Sequence, residues 1–233
     1  YDWLCFLNDY HLGGILADDM GLGKTIQTLA LLQRERERKG EPLMALIVLP
    51  NSIIYNWESE ANRFTPQLKV LKYTGQQRKP LLKEFDQYDL ILTTYGTMRR
   101  DVDTLENMRF HYIVLDESHY IKNRTAKTTQ AIMRIPADHR LSLTGTPIEN
   151  TTMDLWTQMQ FLNPGLLGTA TYFERQFSIP IEKNNDQDRA GKLREMTKPF
   201  LLRRTKDMVA KDLPERVEQV HYCDMSTQQE RLY

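Results

Sequence analysis

The fold of this chain is decided by the stretch Gly13-Gly-Ile-Leu-Ala-Asp-Asp-Met-Gly-Leu-Gly-Lys-Thr25, which is followed by a helical run over residues 26–39. Residues 15–17 form a short apolar run, as in a buried strand. Gly21 and Gly23 allow the backbone to turn tightly with its N–H groups inward, and a helix start adds a partial positive charge. The stretch therefore predicts a strand, a phosphate-binding loop and a helix.

The loop matches the Walker A pattern in its Gly-Lys-Thr core, although Asp18 stands at the first glycine position of that pattern. Lys24 is expected to reach the terminal phosphates of ATP, and the Thr25 hydroxyl is expected to take one place around Mg²⁺. A glycine-containing turn before an ordinary helix is the alternative interpretation. The predicted nucleotide-binding residues are Asp19, Met20, Gly21, Leu22, Gly23, Lys24 and Thr25.

The composition is that of a folded domain without a strong overall field. The 233 residues are 40% hydrophobic and 27% charged, which is enough for one large core or, with less margin, two small ones. Lysine plus arginine and aspartate plus glutamate number 31 each, so any nucleic-acid surface has to be local. We expect one domain with an appendage.

The cysteine usage and the apolar runs predict an intracellular protein. Cys5 and Cys223 are far apart and lack a metal-ligand pattern, which favours packing roles over a disulfide or a zinc site. No run approaches the roughly 20 apolar residues that span a bilayer, so no membrane partner is expected. The location would be the cytoplasm or nucleoid in a bacterium and the nucleus in a eukaryote. Because the chain begins with Tyr1, we interpret it as a piece of a longer protein.

Short apolar runs recur along the chain, and each ends in a polar cluster. Such runs, separated by helical stretches, predict a mostly parallel sheet that is covered by helices on both faces. Ligands bind beyond the carboxyl ends of strands in these sheets, so one edge is expected to collect the functional groups. The runs are residues 43–49 before Pro50-Asn-Ser52, 69–73, 89–92 before Thr93-Thr-Tyr95, 111–115 before Asp116-Glu-Ser-His119, and 140–143 before Thr144-Gly-Thr-Pro147.

The pair Asp116-Glu117 is the second candidate site. An aspartate at a strand end can hold Mg²⁺, and the neighbouring glutamate can polarise a water for attack on the γ-phosphate. The alternative is that the pair forms an acidic helix N-terminus. The phosphate-binding loop upstream makes this interpretation less favoured. His119 is either a packed core histidine or a relay between the nucleotide and the turn at residues 144–147; both interpretations stay open at this point.

These motifs together resemble those of the Swi/Snf family, which are helicase-superfamily-two ATPases that translocate on double-stranded DNA and remodel protein–DNA complexes. Order and spacing both match over nearly the whole chain, and Thr-Gly-Thr-Pro differs from the Ser-Ala-Thr turn usual in RNA helicases. The motifs are Gly-Leu-Gly-Lys-Thr at 21–25, Asn56-Trp57 with Glu60, Thr93-Thr-Tyr95, Asp-Glu-Ser-His at 116–119, Leu-Thr-Gly-Thr-Pro at 143–147 with Glu149-Asn150, and Leu-Leu-Arg-Arg-Thr at 201–205.

The resemblance implies an α/β fold, namely the first of two RecA-like lobes. This is a three-layer P-loop NTPase lobe with a mostly parallel central sheet and a helical protrusion, using ATP and Mg²⁺. It implies catalytic roles for Glu117 and Lys24 and metal binding by Thr25 and Asp116. The implied coupling residues are His119, Thr144, Gly145 and Thr146. The implied DNA contacts are Pro50, Asn51, Ser52, Thr93, Thr94, Tyr95 and Lys122.

The resemblance also implies how the chain is divided. Residues 1–160 would form the ATP-binding core, 161–210 a helical protrusion with a connecting segment, and 211–233 a final strand and the start of a linker. The glutamine motif that reads adenine is expected upstream of Tyr1, and the second lobe with its arginine fingers is expected after Tyr233. Ser118 replaces the more usual alanine or glycine. For Arg203-Arg204, contact with DNA phosphates and a structural salt bridge both stay open.

The expected partners are double-stranded DNA, the second RecA-like lobe of the same parent chain and a DNA-bound protein of unknown identity. Two other functions stay in view. One is a nucleotide- or DNA-binding fragment without independent catalysis. The other is an RNA helicase lobe of the DExH type, which the Thr-Gly-Thr-Pro turn and Asn56-Trp57 disfavour.

Overall fold

The structure is a computed structural model that describes residues 1–145 and 151–209. Within these residues, seven strands form one sheet, and every pairing between them is parallel. The strands are β1 (Gly14–Leu16), β2 (Ala45–Leu49), β3 (Val70–Lys72), β4 (Leu90–Thr94), β5 (Phe110–Asp116), β6 (Ala137–Leu143) and β7 (Leu201–Leu202). Their order across the sheet is β3-β4-β2-β5-β6-β1-β7.

Helices cover both faces of the sheet, so the central strands are buried on both sides, as the uninterrupted apolar runs require. On one face, Leu29, Leu32 and Trp57 pack with strand side chains in one core cluster. The helices of this face are α1 (Asp2–Asp9), α2 (Lys24–Lys39) and α3 (Ile54–Phe64). Helix α2 ends at Gly40, whose φ of +73° closes the last turn in the left-handed conformation.

On the opposite face, Met98, Ile132 and Met159 pack in a second core cluster. The helices there are α4 (Tyr95–Arg100), α5 (Val102–Leu105), α6 (Lys127–Arg134), α7 (Thr152–Leu162), α8 (Ala170–Phe173), α9 (Ile179–Asn184) and α10 (Gln187–Thr197). A short helix, α11 (Lys206–Val209), follows β7. The result is the expected three-layer α/β fold, and in the described part of the chain the sheet is entirely rather than mostly parallel.

All six strands that the apolar runs predict before residue 145, including the one at residues 15–17, are present. Strand β6 begins three residues earlier than residue 140, because Phe110 pairs with Ala137 and the polar residues Asp138 and His139 extend the strand. Strand β7 falls within a segment that we expected only to connect two parts of the chain. Its two residues pair with Ile15 and Leu16.

Residues 161–210, where the helical protrusion is expected, contain the end of α7 and helices α8 to α10. The expected boundary between residues 160 and 161 falls inside α7, and the division into three parts stays a prediction. The final strand that we expected within residues 211–233, together with Cys223, lies outside the described residues. No helix within residues 1–145 and 151–209 has the length and apolar character needed to span a bilayer.

Candidate nucleotide-binding site

The strand register brings three polar clusters to one edge of the sheet. Strand β6 lies between β1 and β5, and Leu143 of β6 pairs with Leu16 on one side and with Asp116 on the other. The phosphate-binding loop, the turn at Thr144 and the Asp116-Glu117 pair therefore leave the sheet from one row. Neighbouring strands lie about 4.8 Å apart, so the three clusters share one small region.

The loop between β1 and α2 has the shape of a phosphate cradle. Gly21 has φ of +88° and Gly23 has φ of +72°, a left-handed conformation that side chains with a β-carbon disfavour. The Lys24 ammonium donates hydrogen bonds to the carbonyl oxygens of Asp18 at 2.6 Å and Asp19 at 3.3 Å. The first N–H groups of α2 have no acceptor within the helix, so its start suits an anion.

The other residues expected to bind nucleotide also lie in this loop. Met20 and Gly21 are exposed, whereas Asp19, Leu22, Gly23, Lys24 and Thr25 are half-buried.

The Asp116 carboxylate is held in place by two donors. Its Oδ2 accepts a hydrogen bond from the Trp57 indole Nε1 at 2.7 Å, and its Oδ1 accepts one from the Glu117 backbone N–H at 2.9 Å. Asp116 is 8% exposed, and this burial raises its pKa, while the Trp57 hydrogen bond and the positive charge of Lys24 act in the opposite direction. An oriented carboxylate of this kind suits a hard cation.

Glu117 adopts a backbone conformation that non-glycine residues rarely take, with φ of 53° and ψ of 54°. Its Oε2 lies 3.3 Å from Nδ1 of His119. The side chain of His119 is 38% exposed, so the interpretation as a packed core histidine is wrong, and it lies beside the candidate catalytic carboxylate. A role for His119 in coupling stays a prediction.

The turn after β6 contacts the phosphate-binding loop. Thr144 is fully buried, and its backbone N–H donates to the Leu16 carbonyl oxygen at 3.1 Å. A β-carbon placed on Gly145 would lie 3.7 Å from Cγ of Met20, so the Met20 side chain rests against this glycine. The expected coupling residue Thr146, with Pro147, Glu149 and Asn150, lies outside the described residues.

The expected DNA contacts fall into two groups. Asn51 and Ser52 are exposed, and Pro50, Thr94 and Lys122 are half-buried. The side chains of Thr93 and Tyr95, in contrast, are not on a surface.

Thr93 is fully buried, and its hydroxyl donates to the Tyr73 carbonyl oxygen at 2.9 Å. Tyr95 is 5% exposed, its hydroxyl donates to the Asp116 carbonyl oxygen at 2.8 Å, and its ring stacks on Tyr120. Contact of these two side chains with DNA is therefore corrected to an internal role, because their polar atoms are already satisfied inside the fold.

Two residues of this site, Trp57 and Arg204, were not singled out for it by sequence reasoning. Trp57 belonged to a quoted motif, but nothing local indicates that its indole reaches Asp116. Arg204 forms an ion pair with Asp18 at 2.5 Å, which confirms the salt bridge of the two interpretations left open for it, while Arg203 is exposed. The one local signal was Asp18 at a glycine position of the pattern.

The chain matches the model of the SNF2-related domain over residues 1–233. TATA-binding protein-associated factor MOT1 of Saccharomyces cerevisiae is 39% identical over 256 residues, which cover 100% of this chain and 14% of that protein. The putative ATP-dependent helicase/translocase YwqA of Bacillus subtilis is 38% identical over 237 residues, which cover 100% of this chain and 26% of that protein.

A solved structure supports the same assignment. The SWI2/SNF2 ATPase core of Sulfolobus solfataricus in complex with double-stranded DNA aligns with a TM-score of 0.83 and 39% identity, over 99% of this chain and 48% of that chain. This chain thus spans about half of that core and 14% and 26% of the two curated relatives. By its fold and its sequence, the chain belongs to the SNF2-related domain family, with the RecA-like α/β fold of the Swi2/Snf2 ATPase core.

Proposed function

We propose that this chain is the N-terminal ATP-binding lobe of a translocase that uses ATP hydrolysis to move on double-stranded DNA and to remodel or displace a DNA-bound protein. The observation that carries this proposal is the row in which Leu16, Leu143 and Asp116 end their strands. It supports a shared site for the phosphate-binding loop, the turn at Thr144 and the acidic pair.

In this proposal, the loop binds the phosphates of ATP. The Lys24 ammonium exchanges the carbonyl oxygens of Asp18 and Asp19 for phosphate oxygens, which carry more negative charge. The N–H groups at the start of α2 add donors from the same side.

The donor set also fits Mg²⁺, because the Asp116 carboxylate and the Thr25 hydroxyl are oxygen ligands at two ends of the row. Bound Mg²⁺ would draw charge away from the phosphate oxygens during transfer. Glu117 would orient the attacking water and accept its proton, with His119 at 3.3 Å to hold the carboxylate. This assigns the catalytic roles to Glu117 and Lys24.

The contact between Met20 and Gly145 supports a coupling role for the turn after β6. A phosphate bound in the loop would press on Met20, and Met20 rests on the turn that lies between the two halves of the site. We propose that Thr144, Gly145 and His119 pass the nucleotide state to the DNA-binding surface, together with Thr146.

A DNA surface is proposed at the ends of the neighbouring strands β4, β2 and β5. The exposed or half-buried polar residues after these strands are Asn51, Ser52, Thr94, Arg99, Arg100, Lys122, Arg124 and Lys127. Basic and hydroxyl side chains supply most contacts to a DNA backbone. The Sulfolobus relative was solved with double-stranded DNA, which favours this partner over RNA.

A second lobe is proposed because the chain spans 48% of that solved core. It would bring the arginines that this type of site needs across the cleft from the γ-phosphate. A fragment without independent catalysis is the second candidate, and it differs from the first only in whether a parent chain completes the site.

The test is steady-state ATPase of the two-lobe parent with duplex DNA, duplex RNA and single-stranded RNA, beside the Lys24→Ala variant. We expect stimulation by duplex DNA and none in the variant. Stimulation by RNA alone would favour the helicase alternative, and unchanged ATPase in Lys24→Ala would overturn the assignment of the phosphate-binding loop.

The DNA surface has a separate test. Charge reversal at Arg99, Arg100 or Lys127 should lower the dependence of log affinity on log salt by roughly one unit for each lost phosphate contact. Arg109→Glu, which changes a charge at the opposite edge of the sheet, is the control. An unchanged slope in the three variants would return these residues to an ordinary solvated surface.

A further inference from the structure

The Asp18 carboxylate occupies the first glycine position of the Walker A pattern, and it is fully buried. A buried carboxylate without a cation and hydrogen bonds would be costly. Because a glycine at this position would need neither, the aspartate has to be explained by what it binds.

Arg204 supplies the charge and most of the hydrogen bonds. Its guanidinium contacts both carboxylate oxygens of Asp18, with Nη2 at 2.5 Å from Oδ2 and Nε at 3.1 Å from Oδ1. Its backbone N–H donates to Oδ1 at 2.9 Å. This bidentate contact fixes the orientation of the Asp18 carboxylate as well as neutralising its charge. A lysine, which is a point charge, could not do both.

Gln27 connects this ion pair to the phosphate-binding loop. Its Oε1 accepts a hydrogen bond from Nη2 of Arg204 at 2.8 Å. Its Nε2 donates to the Leu22 carbonyl oxygen at 3.1 Å. The guanidinium therefore reaches both ends of the loop, directly at Asp18 and through one amide at Leu22.

The backbone after β7 follows the backbone after β1 in the same direction. The Ala17 N–H donates to the Leu202 carbonyl oxygen at 2.7 Å, and the Asp19 N–H donates to the Arg204 carbonyl oxygen at 3.0 Å. The Lys206 N–H then donates to Oδ2 of Asp19 at 3.1 Å. Strand-like pairing thus continues beyond the sheet into the first residues of the loop.

Asp18 also contacts the lysine that is expected to bind phosphate. Its carbonyl oxygen accepts the hydrogen bond from the Lys24 ammonium at 2.6 Å, while its carboxylate binds Arg204. One residue therefore joins the two cations, and rotation of its peptide group would move the acceptor of Lys24.

We propose that Arg204 is a positioning residue for the phosphate-binding loop, which it holds through Asp18 and Gln27 in the shape that accepts nucleotide phosphates. The inference rests on the proposed nucleotide site. It adds to that site a residue 186 positions away in the chain.

A purely structural ion pair would have a different signature. It would change the stability of the lobe, while the folded molecules would bind ATP as before. A positioning role changes the dissociation constant of ATP itself. It also predicts recovery when both charges are removed together, because the acceptor for the Arg204 backbone N–H is kept by an asparagine.

The experiment is an ATP titration with Mg²⁺, followed by the amide chemical shifts of the 233-residue chain, with thermal unfolding measured in parallel. Arg204→Gln should weaken ATP binding about tenfold, since it leaves a buried carboxylate unpaired at the start of the loop. Arg203→Gln, at the exposed neighbouring arginine, is the matched control and should bind as the parent chain does. The double variant Asp18→Asn/Arg204→Gln should return to within about threefold.

Wild-type affinity in Arg204→Gln, or an equal loss in Arg203→Gln, would overturn the proposal. If Arg204→Gln does not fold, Arg204→Lys takes its place, and wild-type affinity in that variant would count against the positioning role. Lys24→Ala distinguishes failure of the positioning role of Arg204 from failure of the proposed nucleotide site. A loss of affinity in Lys24→Ala without one at Arg204 overturns this inference alone, whereas no loss in Lys24→Ala overturns the proposed nucleotide site as well.

Discussion

At the carboxyl edge of the sheet, the hydrogen bonds of Lys24 within the described residues go to two backbone carbonyl oxygens, and the Glu117 side chain is 28% exposed. At the amino edge, His139 is 6% exposed, and its ring stacks on those of Tyr112 and His11. The same sheet thus ends in side chains that can change partners on one edge and in side chains that are packed in place on the other.

The amino-edge cluster, defined as His11, His111, His139, Tyr112, Glu35 and Asp138, shows what a packed polar group looks like in this fold. His139 stacks on Tyr112 with ring centroids 4.8 Å apart and on His11 at 5.0 Å. Ring N atoms of His111 lie 3.4 Å from Asp138 and 3.8 Å from Glu35.

The difference lies in the backbone as much as in the side chains. Gly21, Gly23 and Glu117 at the carboxyl edge have positive φ, which opens N–H groups and the acidic pair toward a ligand. Of the residues in the amino-edge cluster, only His11 does, and it lies in the turn before β1 rather than in a strand. Polar residues alone are therefore not enough to mark a site in this sheet.

The first prediction tests whether the carboxyl edge of this lobe holds a complete catalytic site. Residues 1–233 alone, with saturating duplex DNA, should turn over ATP about 10³ to 10⁵ times more slowly than the two-lobe parent, because the arginines proposed to come from the second lobe would be missing. The measurement is steady-state phosphate release from both proteins. Comparable turnover would show that the site is complete within this lobe.

Glu117→Gln in the parent should lower kcat by about 10² to 10⁴ while ATP affinity is kept, because the amide can bind water but is a far poorer base. Single-turnover hydrolysis and an ATP titration measure the two quantities. His119→Gln is the control, since it changes the neighbour at 3.3 Å and keeps the carboxylate. Normal turnover in Glu117→Gln would mean that another group is the base.

The parallel sheet and the edge that collects the polar groups could be predicted from the sequence, since apolar runs mark strands and parallel order brings their carboxyl ends together. The buried positions of Thr93 and Tyr95 could not. Both hydroxyls come after the apolar run at residues 89–92, where surface residues are expected. Thr93 in fact lies within β4, and each hydroxyl donates to a backbone carbonyl oxygen inside the fold.

Strand β7 and the partner of Asp18 were also beyond the sequence. Two residues, Leu201 and Leu202, have no period to detect, and they pair only because β1 offers them an edge. Arg204 lies 186 positions from Asp18, so no local spacing relates them. Contacts of this kind follow from the packing of the finished sheet.

Trp57→Phe should loosen the Asp116 carboxylate at the carboxyl edge. It removes the donor to Oδ2 of Asp116, which leaves the carboxylate less oriented and raises its pKa further, so Mg²⁺ affinity should fall roughly 10- to 100-fold. The readout is the Mg²⁺ dependence of ATP hydrolysis in the parent. Tyr95→Phe is the matched control, because it removes a hydrogen bond to the Asp116 carbonyl oxygen rather than to the carboxylate. Equal effects of the two variants would contradict this role of Trp57.

The last prediction tests whether burial keeps His139 at the amino edge uncharged. Burial lowers the pKa of His139 to about 4 from an ordinary value of 6.5, with the neighbouring His111 and His11 acting in the same direction and Glu35 and Asp138 against it. The unfolded chain therefore binds a proton at a higher pH than the folded chain does. The stability that depends on neutral His139 is fully present above about pH 6.5 and is lost progressively as the pH falls toward about 4.

The loss should amount to about 2 kcal/mol, or roughly thirtyfold in the folding equilibrium, measured as the difference in free energy of unfolding in urea between about pH 7 and about pH 4.5. Because other ionisable groups also contribute to the pH dependence of unfolding, the quantity to compare is the pH dependence of the parent chain minus that of His139→Gln. If His139→Gln leaves the pH dependence unchanged, burial of His139 does not keep protons from the amino edge, and the contrast between the two edges fails.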